Sequence, residues 1–266
     1  MGLVKRESVA KLASLSFVFP MYNELGNIER CVTWALEVGR KMADDLEIVV
    51  VDDASTDGCG PLADRIADEH AEVRVIHHAV NRGLGGAIKT GLANATKDWV
   101  LYIDSDLPID LNEALRAVPL ALSGGDLVIG WRKNRSEGVK REIMSWVYNR
   151  MIRAVFGLKV IDVNFAFKMI SRRFLRHITL DSEGSFIDAE LLIRSQRLGA
   201  KISEMGLDYY PRTAGVSTLA SFDVVRKILV EMRAFAKRPP VRTSDLPAFE
   251  MNEPARAYGQ AGATHR

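Results

Sequence analysis

The chain has 266 residues, 47% of them apolar and 26% charged, which suits one sizeable α/β domain or two small ones. With 36 basic against 34 acidic side chains the net charge is +2, so composition offers nothing for nucleic acid and any basic surface has to be local. Cys31 and Cys59 make neither a disulfide framework nor metal-ligand spacing, and no apolar run approaches the roughly 20 residues of a membrane span.

Residues 1–14 mix charged and apolar types without the apolar core of a signal peptide, and read as an N-terminal extension. Leu15 to Phe19 is a first strand, stopped by Pro20 and followed by the loop Pro20-Met-Tyr-Asn-Glu24. A helix from Asn27 to Met42 carries Ile28, Cys31, Ala35, Val38 and Met42 near helical spacing. Glu47 to Val51 is apolar after its first residue, as in a strand covered on both faces, and ends in Asp52-Asp-Ala-Ser-Thr-Asp-Gly58. Pro61 opens a short helix, with Cys59 in the loop before it, and Val73 to Ile76 is a third strand. Asn81-Arg-Gly-Leu-Gly-Gly-Ala87 then leads into a helix reaching Ala95.

Trp99 to Ile103 is a buried central strand that stops at two carboxylates, Asp104 and Asp106. Residues two apart in extended backbone point the same way, so the pair suits Mg²⁺ or Mn²⁺ carrying a diphosphate. Asp-Ser-Asp before Pro108 is equally good turn chemistry. Beyond it come a helix over Leu111–Leu122, the pair Gly124-Gly125, a short strand over Leu127–Ile129 and a basic loop from Trp131 to Arg141. Ile143 to Phe156 reads as a helix closed by Gly157 at its C′ position. A helix over Ser185–Leu198, a late strand over Lys201–Met205 and an amphipathic helix over Ser221–Phe235 follow. From Arg238 on, prolines and small polar residues without periodicity read as a disordered tail, 238–266.

Strand and helix alternate over residues 15–130, which predicts a doubly wound, mostly parallel sheet with helices on both faces. Parallel strands share a C-terminal side, so the polar strand ends at 20–24, 52–57 and 104–106 converge on one edge, where such sheets bind ligands. Asp52 is then placed to accept from a nucleobase or ribose, with turn capping by Asp53, Ser55 and Asp57 the other reading. The Gly83-Leu-Gly-Gly86 segment has no Walker lysine and no complete G-x-G-x-x-G, so phosphate contact and close helix packing both stand. The cluster around Arg132 and Arg141 suits diphosphate or an anionic acceptor. Asp162 and Glu190 are acids in apolar surroundings, each a base or an arginine partner. His77 and His78 have no third ligand nearby and are read as no metal site.

Taken in order, these pieces resemble the inverting GT-A glycosyltransferases of the dolichol-phosphate mannosyltransferase and polyprenyl-phosphate glycosyltransferase type. The pieces are Phe19-Pro-Met-Tyr-Asn-Glu24, Val50-Val-Asp-Asp-Ala-Ser-Thr-Asp-Gly58, Asn81 to Ala87, Asp104-Ser-Asp-Leu107, Val128 to Arg132, Asp162 to Lys168, Glu190 to Arg194, and Arg212 to Ser217. They cover residues 15–218 and imply a GT-A, Rossmann-like domain over 15–237, with a donor half at 15–130 and an acceptor half at 131–237. The resemblance implies that Pro20, Tyr22, Glu24, Asp52 and Ser105 meet the nucleotide sugar, UDP- or GDP-linked, and that Asp104 and Asp106 hold its diphosphate through Mg²⁺ or Mn²⁺. It implies that Arg132, Arg141, Lys168, Glu190 and Arg212 line the donor and acceptor phosphates, with a polyprenyl phosphate as acceptor. Asp162, Arg132 and Arg141 become the catalytic candidates, Asp162 as a base or acceptor-site acid. Pro108 departs from the family where a polar metal ligand is common, and Ala166 stands where a glycine is usual. The C-terminal membrane helices of many relatives have no counterpart, so the expectation is a cytoplasmic protein, peripheral on the membrane, in which the helices at 143–156 and 221–235 either touch the surface or pack in a core or homo-oligomer. Transfer to a saccharide or other hydroxyl acceptor, or an inactive scaffold, are the alternatives.

Overall fold

The computed structural model describes residues 10–107, 109–133, 139–210 and 222–237, with the side chains of 139–141 and 222–225 outside the described set. β1 (Leu12–Met21), α1 (Ile28–Met42), β2 (Ala43–Asp52), α2 (Cys59–Glu69), β3 (Val73–His77), α3 (Gly83–Asn94) and β4 (Trp99–Ile103) alternate as expected. A 3-10 turn (Leu111–Arg116) runs into α4 (Ala117–Leu122), followed by β5 (Leu127–Arg132), α5 (Val139–Phe156), β6 (Phe167–Ser171), α6 (Arg172–Leu175), α7 (Ile187–Arg197), β7 (Ile202–Leu207) and α8 (Phe222–Ala236). The seven strands form one sheet in the order β3-β2-β1-β4-β6-β5-β7. All run parallel except β6, which is antiparallel to both β4 and β5.

Each central strand feeds two cores because side chains alternate across the sheet. Phe17 and Phe19 of β1, Ile48 and Val50 of β2, and Leu101 and Ile103 of β4 face α1, α2 and α4. Val18, Val49, Val51, Val100 and Tyr102 face α3, α5, α7 and α8. Burial on both faces is why these strands read as unbroken apolar runs. Helix α3 lies close on the sheet: a Cβ on Gly91 would stand 2.2 Å from Val18 Cγ1. Gly157 closes α5 with φ +66°, its N–H donating to Arg153 O at 2.9 Å.

Five details depart from the sequence reading. β1 continues through Pro20 to Met21, because its ladder with β4 ends at Val18↔Tyr102 and the missing proline N–H falls beyond it. β2 begins at Ala43, directly after α1, and Cys59 is the first residue of α2 rather than a loop residue. Part of the basic loop, Val139–Arg141, is the first turn of α5. Strand β6 was not anticipated: Phe-Lys-Met-Ile-Ser is fully buried, and Lys168 interrupts the apolar run that marks a strand.

Candidate active site

The strand ends converge as the parallel arrangement requires. Met21 pairs with Asp52, and Asp52 with His77, so β1, β2 and β3 stop at one level. Their loops are tied together: Asn23 N–H donates to Ser55 Oγ at 3.0 Å, Thr56 N–H to Asn23 Oδ1 at 2.9 Å, and Leu25 N–H to Asp57 Oδ2 at 2.9 Å. Asp57 also accepts from Cys59 N–H at 3.0 Å, so its capping reading holds at the start of α2. Tyr22 is half exposed at this edge, and Glu24 accepts from Asn27 Nδ2 at 2.6 Å. Among the described residues, the non-glycine positions with positive φ are Asn23 (56°), Ala54 (60°) and Leu107 (49°), one in each of the three loops. Left-handed backbone at alanine and leucine costs about 1–2 kcal/mol per residue, and such strain gathers at functional sites.

Asp104 is half-buried and Asp106 buried after β4. Tyr102, fully buried, donates its hydroxyl to Asp104 Oδ1 at 3.3 Å. Ser105 between the carboxylates turns back and donates to Pro20 O at 3.0 Å, which ties the turn to β1. The Cys31 thiol on α1 is pushed up by burial and then by the negative charge of Asp106 and Glu24. Two hard carboxylates without a third are the donor set of a site that takes its remaining oxygens from phosphate and water. Among the described residues no cluster of three or more His, Cys, Asp or Glu is formed, so the pair fits a phosphate-carried Mg²⁺ or Mn²⁺ and not a closed protein cage.

At the β2–β3 corner, Asp52 is 5% exposed; Oδ1 accepts from Ser55 N–H at 3.0 Å and Oδ2 lies 2.9 Å from His77 Nδ1. Asp53 turns to the other face, accepting from Arg82 N–H at 2.8 Å with His78 Nδ1 at 2.6 Å. The histidines, set aside as a metal site, are the partners of the two aspartates. Their place at the end of the neighbouring strand was the available signal.

Across the sheet a row of buried charges runs from β4 to β5. Lys168 Nζ donates to Asp188 Oδ1 at 2.5 Å and Phe165 O at 2.8 Å, and stands 5.7 Å from the Tyr102 ring centroid. Burial raises the Asp188 carboxyl, Lys168 opposes the rise, and Asp162 adds to it. Arg132, at the end of β5, grips Asp162 at two points, Nε–Oδ2 2.8 Å and Nη2–Oδ1 3.0 Å, and its guanidinium lies over Phe165 and Tyr209. Asn149 of α5 accepts from Val163 N–H at 2.9 Å and fixes the segment after Asp162. Of the two roles open to Asp162, the geometry favours arginine partner over base.

Glu190 lies apart from this row. It accepts from the N–H groups of Asp181 and Ser182 and, at 2.8 Å, from Arg194 Nε, so it anchors the 181–184 loop rather than facing a phosphate. That loop also explains the glycines before and within α3: a Cβ on Gly85 would meet Ser182 O and Glu183 C at 2.6 Å, and Gly85 N–H already donates to Glu183 O. The close packing expected of this segment is therefore present. Pro108 and Arg212 lie outside the described residues, as does the side chain of Arg141.

This architecture recurs in known proteins. The relatives include the glycosyltransferase AglD of Haloferax volcanii, 31% identical over 85% of this chain, which spans only 37% of that protein's length. They also include an undecaprenyl-phosphate mannosyltransferase of Micrococcus luteus, 31% identical over 76% of this chain and 86% of its own. Among solved structures, glucosyl-3-phosphoglycerate synthase from Mycobacterium tuberculosis, in complex with Mn²⁺, UDP-glucose and phosphoglyceric acid, superposes with a TM-score of 0.66 at 24% identity, covering 85% of this chain and 81% of its own, and supports the GT-A fold. The family model of glycosyl transferase family 2 matches residues 16–179, from within β1 to beyond β6, taking in the acidic strand ends and, of the buried charges, Arg132, Asp162 and Lys168. With more than half its length and all of these strand ends inside that match, the chain belongs to glycosyl transferase family 2.

Proposed function

We propose that this protein transfers a sugar, with inversion, from a nucleoside diphosphate sugar to a polyprenyl phosphate. The observation that carries the donor half is the pair Asp104 and Asp106 at the end of β4, beside the Asp52 corner on the same sheet edge. Asp52, Tyr22 and Glu24 meet the nucleoside, with Pro20 and Ser105 shaping the wall behind it. Asp104 and Asp106 would hold a divalent metal, which would supply charge neutralisation for the departing diphosphate. A phosphate oxygen of the acceptor attacks the anomeric carbon as the bond to the nucleoside diphosphate breaks. That oxygen is already anionic, so the step needs no strong base. Asp162 then acts through Arg132, holding the guanidinium at the edge where the acceptor half meets the donor half. Arg141 and Arg212 are the proposed phosphate contacts, and Lys168 acts from beneath through Asp188.

The names of the curated relatives support the acceptor, as does the surface of α5, where Ile143, Trp146 and Val147 are exposed on one face and Arg150 lies over Trp146. That face suits a peripheral position at a membrane surface, on the side that makes the donor. Among the described residues no helix is long and apolar enough to cross a membrane. A second reading keeps the donor and changes the acceptor to a small hydroxyl compound, as in the phosphoglycerate synthase whose fold this chain shares. Calorimetry with UDP and GDP, with and without Mn²⁺, tests the donor site: one nucleotide binds only with metal, and Asp106→Asn abolishes that binding. Turnover of the matching nucleotide sugar then tests the acceptor: dependence on added polyprenyl phosphate supports the first reading, and equal turnover without it overturns that reading.

A further inference from the structure

His77 sits between two carboxylates that belong to different elements. Its Nδ1 lies 2.9 Å from Asp52 Oδ2 on β2, and its Nε2 lies 2.9 Å from Asp64 Oδ1 on α2. The Asp52 side chain is 7% exposed, the His77 ring 44% and Asp64 53%, so the ring bridges from solvent to the buried acid of the nucleoside corner. The fit at the inner end is close: a Cβ on Gly60 would stand 2.7 Å from Asp52 Oδ2 and 3.6 Å from the His77 ring. Only the imidazolium can donate to both neighbours. The neutral ring carries one N–H, so whichever tautomer it takes, one carboxylate faces a lone pair instead of a donor.

We infer that His77 is a positioning residue for the donor nucleoside, holding Asp52 in one orientation while its ring is charged and holding it less firmly when the neutral ring has one N–H to share between Asp52 and Asp64. The inference rests on the reading of Asp52 as the nucleoside acid. With Ser55 N–H on one oxygen and His77 on the other, the Asp52 carboxylate is fixed in plane, and its remaining lone pairs are aimed for a base N–H or ribose hydroxyl. The charged groups facing His77 are Asp52 from β2 and Asp64 from α2. The hydrogen bond to Asp64 raises the imidazole most, partial burial works against it, and Asp52 adds to the rise. A raised value means that the charged, bridging form is complete at and below the ordinary histidine range and is lost as pH climbs through the raised value. Asp64 is thus a tuner that reaches Asp52 only through His77, and it sets the pH at which the clamp loosens.

The test is calorimetric affinity, from pH 6 to pH 8.5 in Mn²⁺, for whichever of UDP or GDP binds the wild type. The ratio of the Kd of His77→Gln to that of the wild type removes the nucleotide's own titration. That ratio is expected to be about ten-fold at the acid end, the loss of one charge-assisted hydrogen bond, and to fall toward the alkaline end, where the neutral ring shares one N–H between two carboxylates. Asp64→Asn is expected to bind as tightly as wild type where its ring is charged and to lose affinity at a lower pH, a shift that a merely structural role would not produce. A ratio that is flat across the range, or a wild-type midpoint in Asp64→Asn, overturns the role of His77 while leaving the donor site in place. Wild-type affinity in Asp52→Ala instead overturns the nucleoside reading of Asp52, and the inference with it.

Discussion

Lys168 is 1% exposed in the middle of the sheet, and it is tolerated there because Asp188 and Phe165 O take its hydrogens. Removing one partner of such a pair is worse than removing both, since an uncompensated charge is left behind. Lys168→Met is expected to cost about 3 kcal/mol at neutral pH, read by urea unfolding. Asp188 already holds its proton above the ordinary carboxylate range, and without the lysine its value rises further. A group whose folded value is raised adds stability at low pH that is lost as pH climbs. The deficit of Lys168→Met therefore narrows on acidification, and Asp188→Leu in the same chain restores stability. A deficit that is independent of pH would mean that packing, and not the stranded carboxylate, sets the cost. Arg132 and Asp162 follow the same logic at the next strand, with side chains 9% and 0% exposed.

At the scale of elements, α3 carries two close approaches, one to the sheet through Gly91 and one to the 181–184 loop through Gly85. The loop is held from three further sides, by Glu190 of α7, by Glu231 of α8, and by Lys89 of α3. Helix α3 thereby connects the sheet to the loop that α7 and α8 also hold. Gly91→Ala puts a methyl group into Val18 and is expected to lower stability by about 1–3 kcal/mol, the usual cost of overpacking. Gly85→Ala meets backbone instead of a side chain, so less can yield and the loss should be larger. Thermal unfolding of the two variants checks the order; a Gly91→Ala variant less stable than Gly85→Ala would show the helix–sheet contact to be the stiffer one.

The whole sheet is stapled at one end and strained at the other. At the start of the strands, Glu47 on β2 is 8% exposed and accepts from Ser16 of β1, from Thr96 N–H at 2.8 Å and from Arg74 of β3 at 3.1 Å. Burial alone would raise its carboxyl, but these donors together hold it below the ordinary range. A depressed value stabilises fully above the unfolded carboxylate range and is lost as pH falls through the folded value. Glu47→Gln is expected to lose about 2 kcal/mol at pH 7 and to match the wild type in acid, as measured by denaturant unfolding across pH. A gap that persists at pH 3 would show that shape, not charge, makes the staple. At the opposite end the left-handed Asn23, Ala54 and Leu107 lie in the loops that follow β1, β2 and β4.

The alternation of apolar strands with amphipathic helices determined the doubly wound sheet, and the acids closing three of those strands determined which edge of the sheet is acidic. Both are local patterns, legible because side-chain period and parallel direction leave few other arrangements. The tertiary structure decided the partners. Lys168 with Asp188, His77 with Asp52, and Arg132 with Asp162 lie 20, 25 and 30 residues apart in the chain. Which polar groups meet depends on strand order and on the reversed strand β6, and local periodicity carries neither. An isolated Lys, His or Asp looks the same in sequence whether it is buried in a pair or solvated at the surface, and only the fold assigns its partner.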